Sequence, residues 1–428
     1  MIDDKVSVGV IGLGYVGAPL LYLIFSKEYD VIGIDVDTKK VENIKNKVNI
    51  PKKIKKSTLK NKEIFVTNNY SYLNDRDIII ICVPTPTIND IPDLKILNEV
   101  IENVALIMKK KCLLIIESTI APGMTKKYVI DKLEKYNLKV NIDYDLAYCP
   151  ERIDPGNSKY WVGNINRVCG ATSSEALAKT CNFYKSIINA KIIPMGSIEE
   201  AELVKVWENS LRNVSIAQAN LLAKICDNYN FSIKNIINGL NSKVEQFSLQ
   251  ISTPGLGPGG HCIPEDIHYL LDSVGDQNII DMGLFKEAII INEYMPEYTY
   301  NKLKKRVENN GEYLNDKKVI MLGISYKPNT DDIRRSQAIV LYDILKNNGI
   351  DIRIYDPLVN NETKGLDETL SEVEVVIIGC FHDCFRSIDY TKYKNIKYLV
   401  DCWNSYNKSD FIDSKIIYIG TGEWLWEN

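Results

Sequence analysis

Lys5-Val-Ser-Val-Gly-Val-Ile11, followed at once by Gly12-Leu13-Gly14-Tyr15-Val16-Gly17, reads as a buried strand running into a tight turn, and Ala18 to Phe25 continues as an apolar helix. G-x-G-x-x-G has a physical meaning in that setting: the first glycine makes the turn, the second lets a pyrophosphate approach the backbone, and the third allows helix and strand to pack closely. The free N–H groups and partial positive charge at the helix start then favour the phosphates. A second strand, Asp30 to Ile34, ends at Asp35, twenty-one residues after Gly14. A carboxylate there accepts hydrogen bonds from a ribose diol and repels a 2′-phosphate, so NAD is expected rather than NADP. Tyr15, Val16 and Lys40 complete the expected cofactor-binding set around this turn.

Further strands follow the same rhythm. Asp77 to Val83 ends in Pro84-Thr85-Pro86, Leu113 to Glu117 ends in Ser118-Thr119, and Asp145 to Tyr148 precedes Cys149-Pro150-Glu151-Arg152. In an open parallel sheet ligands sit outside the carboxyl ends of the strands, so these three segments are expected to line one crevice. Taken singly, Thr119 reads equally as a helix cap and Glu151 as a surface charge.

From Ser197 to about Asn309 the pattern is helical. Ser197-Ile-Glu-Glu200 has capping-box spacing and predicts a helix running through Asp227. Lys205 and Asn209 share a face of it, with Arg212 and Asn213 one turn on; their apolar neighbours Leu203, Val204, Val206, Trp207 and Leu211 favour an inward orientation. A second amphipathic helix, roughly Ile279 to Glu308, offers a dimer face. Between them lies Gly255-Leu-Gly257-Pro258-Gly259-Gly260-His261-Cys262-Ile-Pro264-Glu-Asp266. Its glycines leave backbone open to a ligand, two prolines stiffen it, and Cys262 with Asp266 four residues on reads as a presented nucleophile. The blander reading of such a loop is a structural turn.

The pattern resets near Gly311 to Asp316. Lys317 to Gly323 is again a buried strand, leading into Ile324-Ser-Tyr-Lys327-Pro-Asn-Thr-Asp-Asp-Ile-Arg334-Arg335-Ser336 and a helix through Asn347; strands Asp351–Tyr355 and Val373–Ile378 follow. This second α/β unit lacks G-x-G-x-x-G and is expected to hold a different ligand. The fold class read from the chain is α/β, with two Rossmann-like doubly wound parallel sheets joined by a long helical region. The expected domains are residues 1–197, 198–312 and 313–428.

The 428 residues suffice for two or three sizeable cores. An apolar fraction of 45% and a charged fraction of 25% are those of an ordinary globular protein, and a net charge of −4 gives no reason to expect nucleic acid or an anionic membrane as partner. Lys52, Lys53, Lys55 and Lys56 read as a solvated basic face. The ten cysteines contain no C-x-x-C pair; Cys380 and Cys384 flank His382, but no second ligand cluster completes a metal site, so no metal is expected. Reduced, mostly buried thiols suit the cytoplasm. No signal-like segment precedes Lys5 and no apolar run approaches ~18–20 residues, so a soluble, non-membrane protein is expected.

Together these blocks resemble the UDP-glucose/GDP-mannose dehydrogenase family over nearly the whole chain. The matching segments are Gly12–Gly17, Val83-Pro-Thr-Pro86, Glu117-Ser-Thr119, Pro150-Glu-Arg152, Glu202-Leu-Val-Lys205 with Asn209, Gly259-Gly-His-Cys262-Ile-Pro-Glu-Asp266, and Tyr326-Lys-Pro-Asn-Thr-Asp-Asp-Ile-Arg334. The resemblance implies an NAD domain, a nucleotide-sugar domain, and a central helix that also forms a homodimer or higher oligomer. It implies a four-electron oxidation in which the C6 alcohol of a UDP-sugar becomes a carboxylate and two NAD are reduced. By resemblance, a water held by Asp266 removes the hydroxyl proton, and Cys262 attacks the resulting aldehyde to give a thiohemiacetal and then a thioester. Glu151 or Asp266 activates the hydrolytic water and Thr119 orients it. Lys205 and Asn209 stabilise the oxyanion, and Lys205 also favours the thiolate. Glu151, Arg152, Lys205, Asn209, Arg212, Gly259 and Lys327 are implied at the substrate, Lys243 near its diphosphate, and Arg334 or Arg335 beside the cofactor, with Pro84, Thr85 and Thr119.

The sugar is narrowed by smaller signs. Pro150-Glu-Arg-Ile-Asp-Pro155 has proline where glucose-type members carry a second glutamate. Glu208-Asn-Ser-Leu-Arg-Asn-Val-Ser-Ile-Ala217 is similar to the branch acting on UDP-N-acetylmannosamine or UDP-N-acetylglucosamine. Pro264-Glu-Asp266-Ile instead resembles the UDP-glucose branch. Single-step hydroxyacid or 6-phosphogluconate-type dehydrogenases share the opening turn and a Lys-x-x-x-Asn helix, but they lack both the cysteine loop and the second nucleotide domain. A non-catalytic nucleotide-binding protein would be expected to have lost Cys262, Lys205 or Asp266. With three histidines in the chain, no Ser-His-Asp arrangement is expected to compete.

Overall fold

The computed structural model describes residues 6–423 apart from 49, 52, 55–58, 60–62, 154–160, 243–251, 275–279 and 360–364. Lys243, Pro155, Lys52, Lys55, Lys56 and Ile279 therefore lie outside the described residues. The chain forms two compact units, Met1–Glu208 with His268–Gln277, and Asn209–Ile267 with Asn278–Asn428.

The first unit is built on β1 (Ser7–Ile11), β2 (Asp30–Ile34), β3 (Phe65–Thr67), β4 (Ile78–Ile81), the short hairpin β5 (Thr87–Ile88) and β6 (Ile91–Pro92), β7 (Cys112–Ile116), β8 (Tyr144–Tyr148), β9 (Arg167–Ala171) and β10 (Ile192–Pro194). Its main sheet has the order β10-β9-β8-β7-β4-β1-β2-β3. The four isoleucines of β4 are all buried, as a central strand covered on both faces requires. The strand order reverses at β1, which has β2 on one side and β4 on the other, and this opens a crevice at the carboxyl ends. The pairing departs from an all-parallel sheet at one place: β8 and β9 run antiparallel over Ala147↔Ala171 and Tyr148↔Gly170. Among the described residues between them no helix exists to carry a parallel crossover.

The second unit holds β11 (Lys318–Leu322), β12 (Asp351–Tyr355), β13 (Val375–Ile378), β14 (Tyr398–Asp401) and β15 (Ile417–Gly420), all parallel in the order β12-β11-β13-β14-β15. Its first turn repeats that of the first unit without the glycine signature. Gly12 N–H donates to Ile34 O at 2.8 Å and Gly323 N–H to Tyr355 O at 2.8 Å. An aspartate follows each second strand and accepts from the turn: Leu13 N–H to Asp35 Oδ2 at 2.7 Å, Ile324 N–H to Asp356 Oδ2 at 2.8 Å.

The helix Ile198–Tyr229, 32 residues long, is continuous and carries residues of both units. Its buried side carries polar residues among apolar ones, and its exposed side keeps large apolar residues. Glu202, Lys205, Asn209, Asn213 and Asn220 are buried, while Leu203, Trp207, Leu211, Leu221, Ile225 and Tyr229 are exposed, Trp207 by 46%. The single helix expected over Ile279–Glu308 is instead two, Gly283–Glu293 and Met295–Asn309. Pro296 starts the second: it has no N–H to continue the ladder and its ring crowds the carbonyl four residues back.

Candidate active site

In the first unit, Gly12 sits at φ +87°, and a Cβ there would come within 2.7 Å of the Cys82 carbonyl oxygen. A Cβ at Gly17 would lie 1.9 Å from Gly12 O, so the helix Gly17–Ser26 can approach the strand only with glycine at that position. Gly14 has nothing within 4 Å of a built Cβ. Backbone with open space before it at a helix N-terminus fits a dinucleotide pyrophosphate. Asp35 is buried; Oδ2 accepts from Leu13 N–H, Oδ1 from Asp37 N–H at 2.8 Å, and Lys40 Nζ stands 3.8 Å from Oδ2. Each carboxylate oxygen keeps a lone pair for a ribose hydroxyl. Tyr15 is exposed beside the turn, and Val16 O accepts from Leu20 N–H at 3.1 Å.

Hydroxyls tie the ends of β4 and β7 together. Thr85 Oγ1 donates to Thr119 O at 2.6 Å and Ser118 Oγ to Val83 O at 2.7 Å, with Pro84 exposed between them. Tyr269 OH donates to Thr85 O at 2.9 Å. Glu202 fixes the segment after Thr119 by accepting from Gly123 N–H at 2.6 Å and Thr125 N–H at 2.9 Å. Burial pushes its carboxyl up, against the pull of those donors. Glu151 is buried, and Arg152 Nε pairs with Glu208 Oε2 at 2.8 Å on the long helix. Lys205 is only 6% exposed.

Beneath the β7 end lies a charged group that sequence reading missed. Arg167 Nη1 meets Glu117 Oε1 at 2.8 Å, both side chains wholly buried; Tyr184 OH donates to the same Oε1, and the guanidinium lies 4.9 Å from the Tyr184 ring centre. Against the cost of burial, Glu117 holds Arg167 firmly protonated. Tyr269 was also missed, although its place three residues after Asp266 on one helix was a usable signal.

In the second unit Cys262 stands immediately before the helix Ile263–Val274, where the helix dipole favours an anion. Asp266 N–H closes the first turn onto Cys262 O at 2.9 Å. Asp266 is buried and accepts from Asn209 Nδ2 at 2.6 Å, so these two expected site residues meet. The glycines ahead of Cys262 lie against the Lys327 loop: Gly260 N–H donates to Arg334 O at 3.0 Å, and built Cβ atoms at Gly259 and Gly260 would each strike Tyr326 at 2.8 Å. Lys327 Nζ is 5.7 Å from the centre of the Tyr326 ring. Arg334 pairs with Asp332 at 2.6 Å, whereas Arg335 Nε faces Glu265 Oε1 at 3.6 Å on the cysteine helix. Arg212 is exposed on the long helix.

A serine, a histidine and an aspartate come together in this unit, but not as a relay. Ser325 Oγ at 3.2 Å and Asp356 Oδ2 at 3.1 Å both sit on His382 Nε2, while Nδ1 accepts from Asn329 N–H at 2.9 Å. A triad needs base and orienter on opposite nitrogens. Against the cost of burial, His382 and the Ile324 and Leu358 amides hold the Asp356 carboxyl below its usual range. The cluster fastens the loop that carries Lys327.

A dinucleotide turn at a sheet switch point, with a cysteine presented at a helix N-terminus elsewhere in the chain, defines an NAD-dependent oxidoreductase. Three models of the UDP-glucose/GDP-mannose dehydrogenase family match in order: its NAD binding domain over residues 6–188, its central domain over 199–294 and its UDP binding domain over 320–408. The chain belongs to that family. It is similar to a UDP-N-acetyl-D-mannosamine dehydrogenase of Pyrococcus horikoshii, 32% identical over 389 residues that cover 90% of this chain and 91% of the relative. A UDP-N-acetyl-D-glucosamine 6-dehydrogenase of Pseudomonas aeruginosa is 29% identical over 397 residues, 91% of this chain and 92% of that one. The solved structure of a UDP-D-ManNAc dehydrogenase from Pyrococcus horikoshii superposes with a TM-score of 0.89 at 31% identity, covering 97% of this chain and 99% of the other. The protein is thus an NAD-dependent UDP-sugar dehydrogenase.

Proposed function

We propose that this chain oxidises the C6 hydroxymethyl of UDP-N-acetylmannosamine or UDP-N-acetylglucosamine to the carboxylate, with Cys262 as the covalent nucleophile. The observation that carries the proposal is the placement of Cys262 one residue before a helix whose first turn bears Asp266, bonded to Asn209. The similar UDP-N-acetylhexosamine dehydrogenases and the Glu208–Ala217 pattern favour that sugar class. When bound, NAD takes up the hydride released from C6 in each of two oxidations.

The chain's own residues do the rest. Gly12, Gly14, Tyr15, Val16, Gly17, Asp35, Lys40, Pro84, Thr85 and Thr119 hold the cofactor, with Arg335 favoured over Arg334 because it faces the cysteine helix. Asp266 holds the water that takes the hydroxyl proton. Lys205 and Asn209 stabilise the oxyanion formed as Cys262 Sγ bonds to the aldehyde carbon. Once the second hydride has left C6 the adduct is a thioester, whose C–S bond is hydrolysed by water activated by Glu151 or Asp266 and oriented by Thr119, releasing the carboxylate and restoring the thiol. Glu151, Arg152, Lys205, Asn209, Arg212, Gly259 and Lys327 contact the nucleotide sugar. The division of labour follows residues 1–197, 198–312 and 313–428: cofactor, catalytic helices and UDP-sugar.

Purified protein offered UDP-N-acetylmannosamine, UDP-N-acetylglucosamine, UDP-glucose and UDP-galactose should form two NADH per sugar with one of the first two. A yield of one would remove the covalent role of Cys262. A response to UDP-glucose alone would instead favour the branch marked by Pro264-Glu-Asp266.

The chain is further read as a homodimer or higher oligomer. Leu221, Ile225 and Tyr229 form an exposed i, i+4 apolar row on the long helix, as a partner copy would cover. Ile225→Glu should halve the mass measured by sedimentation; an unchanged mass would place the interface elsewhere. No disulfide joins the described cysteines, Cys149 and Cys169 with sulfurs 3.3 Å apart included, which suits the reducing cytoplasm. No described helix is long and apolar enough to cross a membrane. A uronic acid product suits polysaccharide biosynthesis.

A further inference from the structure

We propose that Asn213, Asn220 and Asn292 form a positioning relay that sets Cys262, and that its polarity requires an amide at each place. This rests on Cys262 being the nucleophile. The three side chains are buried, and their hydrogen bonds run head to tail from one end of the cysteine loop to the other. Gly255 N–H donates to Asn220 Oδ1 at 2.9 Å. Asn220 Nδ2 donates to Asn292 Oδ1 at 2.9 Å. Asn292 Nδ2 donates to Asn213 Oδ1 at 2.9 Å and to Asn213 O at 3.1 Å. Asn213 Nδ2 points to Ile263 O at 3.4 Å. Gly255 and Ile263 bracket Cys262, so the relay holds both ends of the segment at once.

Every link uses a carboxamide as acceptor on one side and donor on the other, which no carboxylate, hydroxyl pair or apolar side chain reproduces. Asn213 and Asn220 are seven residues apart, two turns along one face of the long helix, and Asn292 bridges them from the helix Gly283–Glu293. The backbone of Asn292 takes part as well. Pro296, four residues on, has no N–H to donate to its carbonyl. The loop approaches that same oxygen: Gly257 lies at φ +104°, and a Cβ there would come within 2.7 Å of Asn292 O. Buried amides with all partners internal do not exchange them for water, so the relay is rigid or broken. A displacement of about 1 Å at a reacting atom can cost ~10²-fold in rate.

The first oxidation, alcohol to aldehyde, needs no nucleophile; the second does. A displaced Cys262 therefore changes product stoichiometry, which simple loss of folded protein does not. Asn292→Asp keeps shape but removes the donor and sets a carboxylate against two oxygens of Asn213. Asn220→Asp keeps the acceptor for Gly255 but loses the donor to Asn292. For each variant one would measure NADH per sugar, aldehyde trapped by semicarbazide, and the rate of Cys262 alkylation by iodoacetamide without cofactor.

In at least one soluble variant, NADH is expected to fall from two per sugar toward one, with trapped aldehyde and an alkylation rate changed by ~10-fold or more. Two NADH per sugar and unchanged alkylation in both variants, with only a lower melting temperature, would overturn the relay as a positioning device. Cys262→Ser is the control that separates the two ideas. If it too yields two NADH at the parental rate, the assignment of Cys262 fails, and the relay's role falls with it.

Discussion

Replacing Cys262 with serine is expected to cut conversion of sugar to acid by more than ~10³-fold while NAD binding stays as it was. The two expectations separate because the residues proposed for the cofactor lie mainly in the first unit, at Gly12–Gly17 and Asp35, and Cys262 lies in the second. Serine keeps the backbone and nearly the volume, so the closure of Asp266 N–H onto residue 262 and the Asn209–Asp266 bond should persist. What is lost is an easily ionised nucleophile: an alcohol is far harder to deprotonate than a thiol, even at a helix N-terminus. The aldehyde can still form, since its proton leaves to the water held by Asp266. It then has no sulfur to convert it into a species that releases a second hydride, and NADH should stop near one per sugar. Titration of NAD by fluorescence, NADH counting and mass analysis of the product would check each part. Two NADH per sugar at the parental rate would mean that the acid forms without covalent attachment.

How much of this was legible in the sequence depended on how local the determinant was. The turn Gly12–Gly17 and Asp35 could be read because strand, turn, helix and carboxylate follow one another within about thirty residues. The second turn escaped, since Gly323 and Asp356 do the same work without a repeated glycine pattern; what the fold requires there is one glycine against the Cys380 carbonyl, and one glycine is no signature. On the long helix the inward direction of Lys205 and Asn209 was expected from apolar neighbours. Those neighbours do not decide it: Val206 is buried, but Leu203, Trp207 and Leu211 are exposed. A sequence pattern gives the faces of a helix but not which one is covered within the chain and which is left for a partner. The bonds from Asn292 to Asn213 and Asn220, and those from Glu117 to Arg167 and Tyr184, join positions fifty or more residues apart, which local spacing does not connect.

That last group supports the second large effect. Arg167→Met should lower stability by about 3–5 kcal/mol, because the carboxylate of Glu117 would then remain in a fully buried site with only the Tyr184 hydroxyl to meet it. The pair as a whole need not be stabilising, for taking two ions out of water is costly; the damage comes from removing one and stranding the other. Glu117→Leu combined with Arg167→Met should accordingly recover most of the loss, leaving the midpoint of urea unfolding near or above the parental value. Activity will not follow stability in the double variant. Glu117 directly precedes Ser118 and Thr119, whose bonds to Val83 and Thr85 join the β4 and β7 ends, and a leucine cannot orient that segment as the Arg167 and Tyr184 contacts do. Urea unfolding of the three proteins at neutral pH decides the matter: a single variant within ~0.5 kcal/mol of the parent, or a double variant no better than the single, would show that the charge pair is not what holds this end of the sheet.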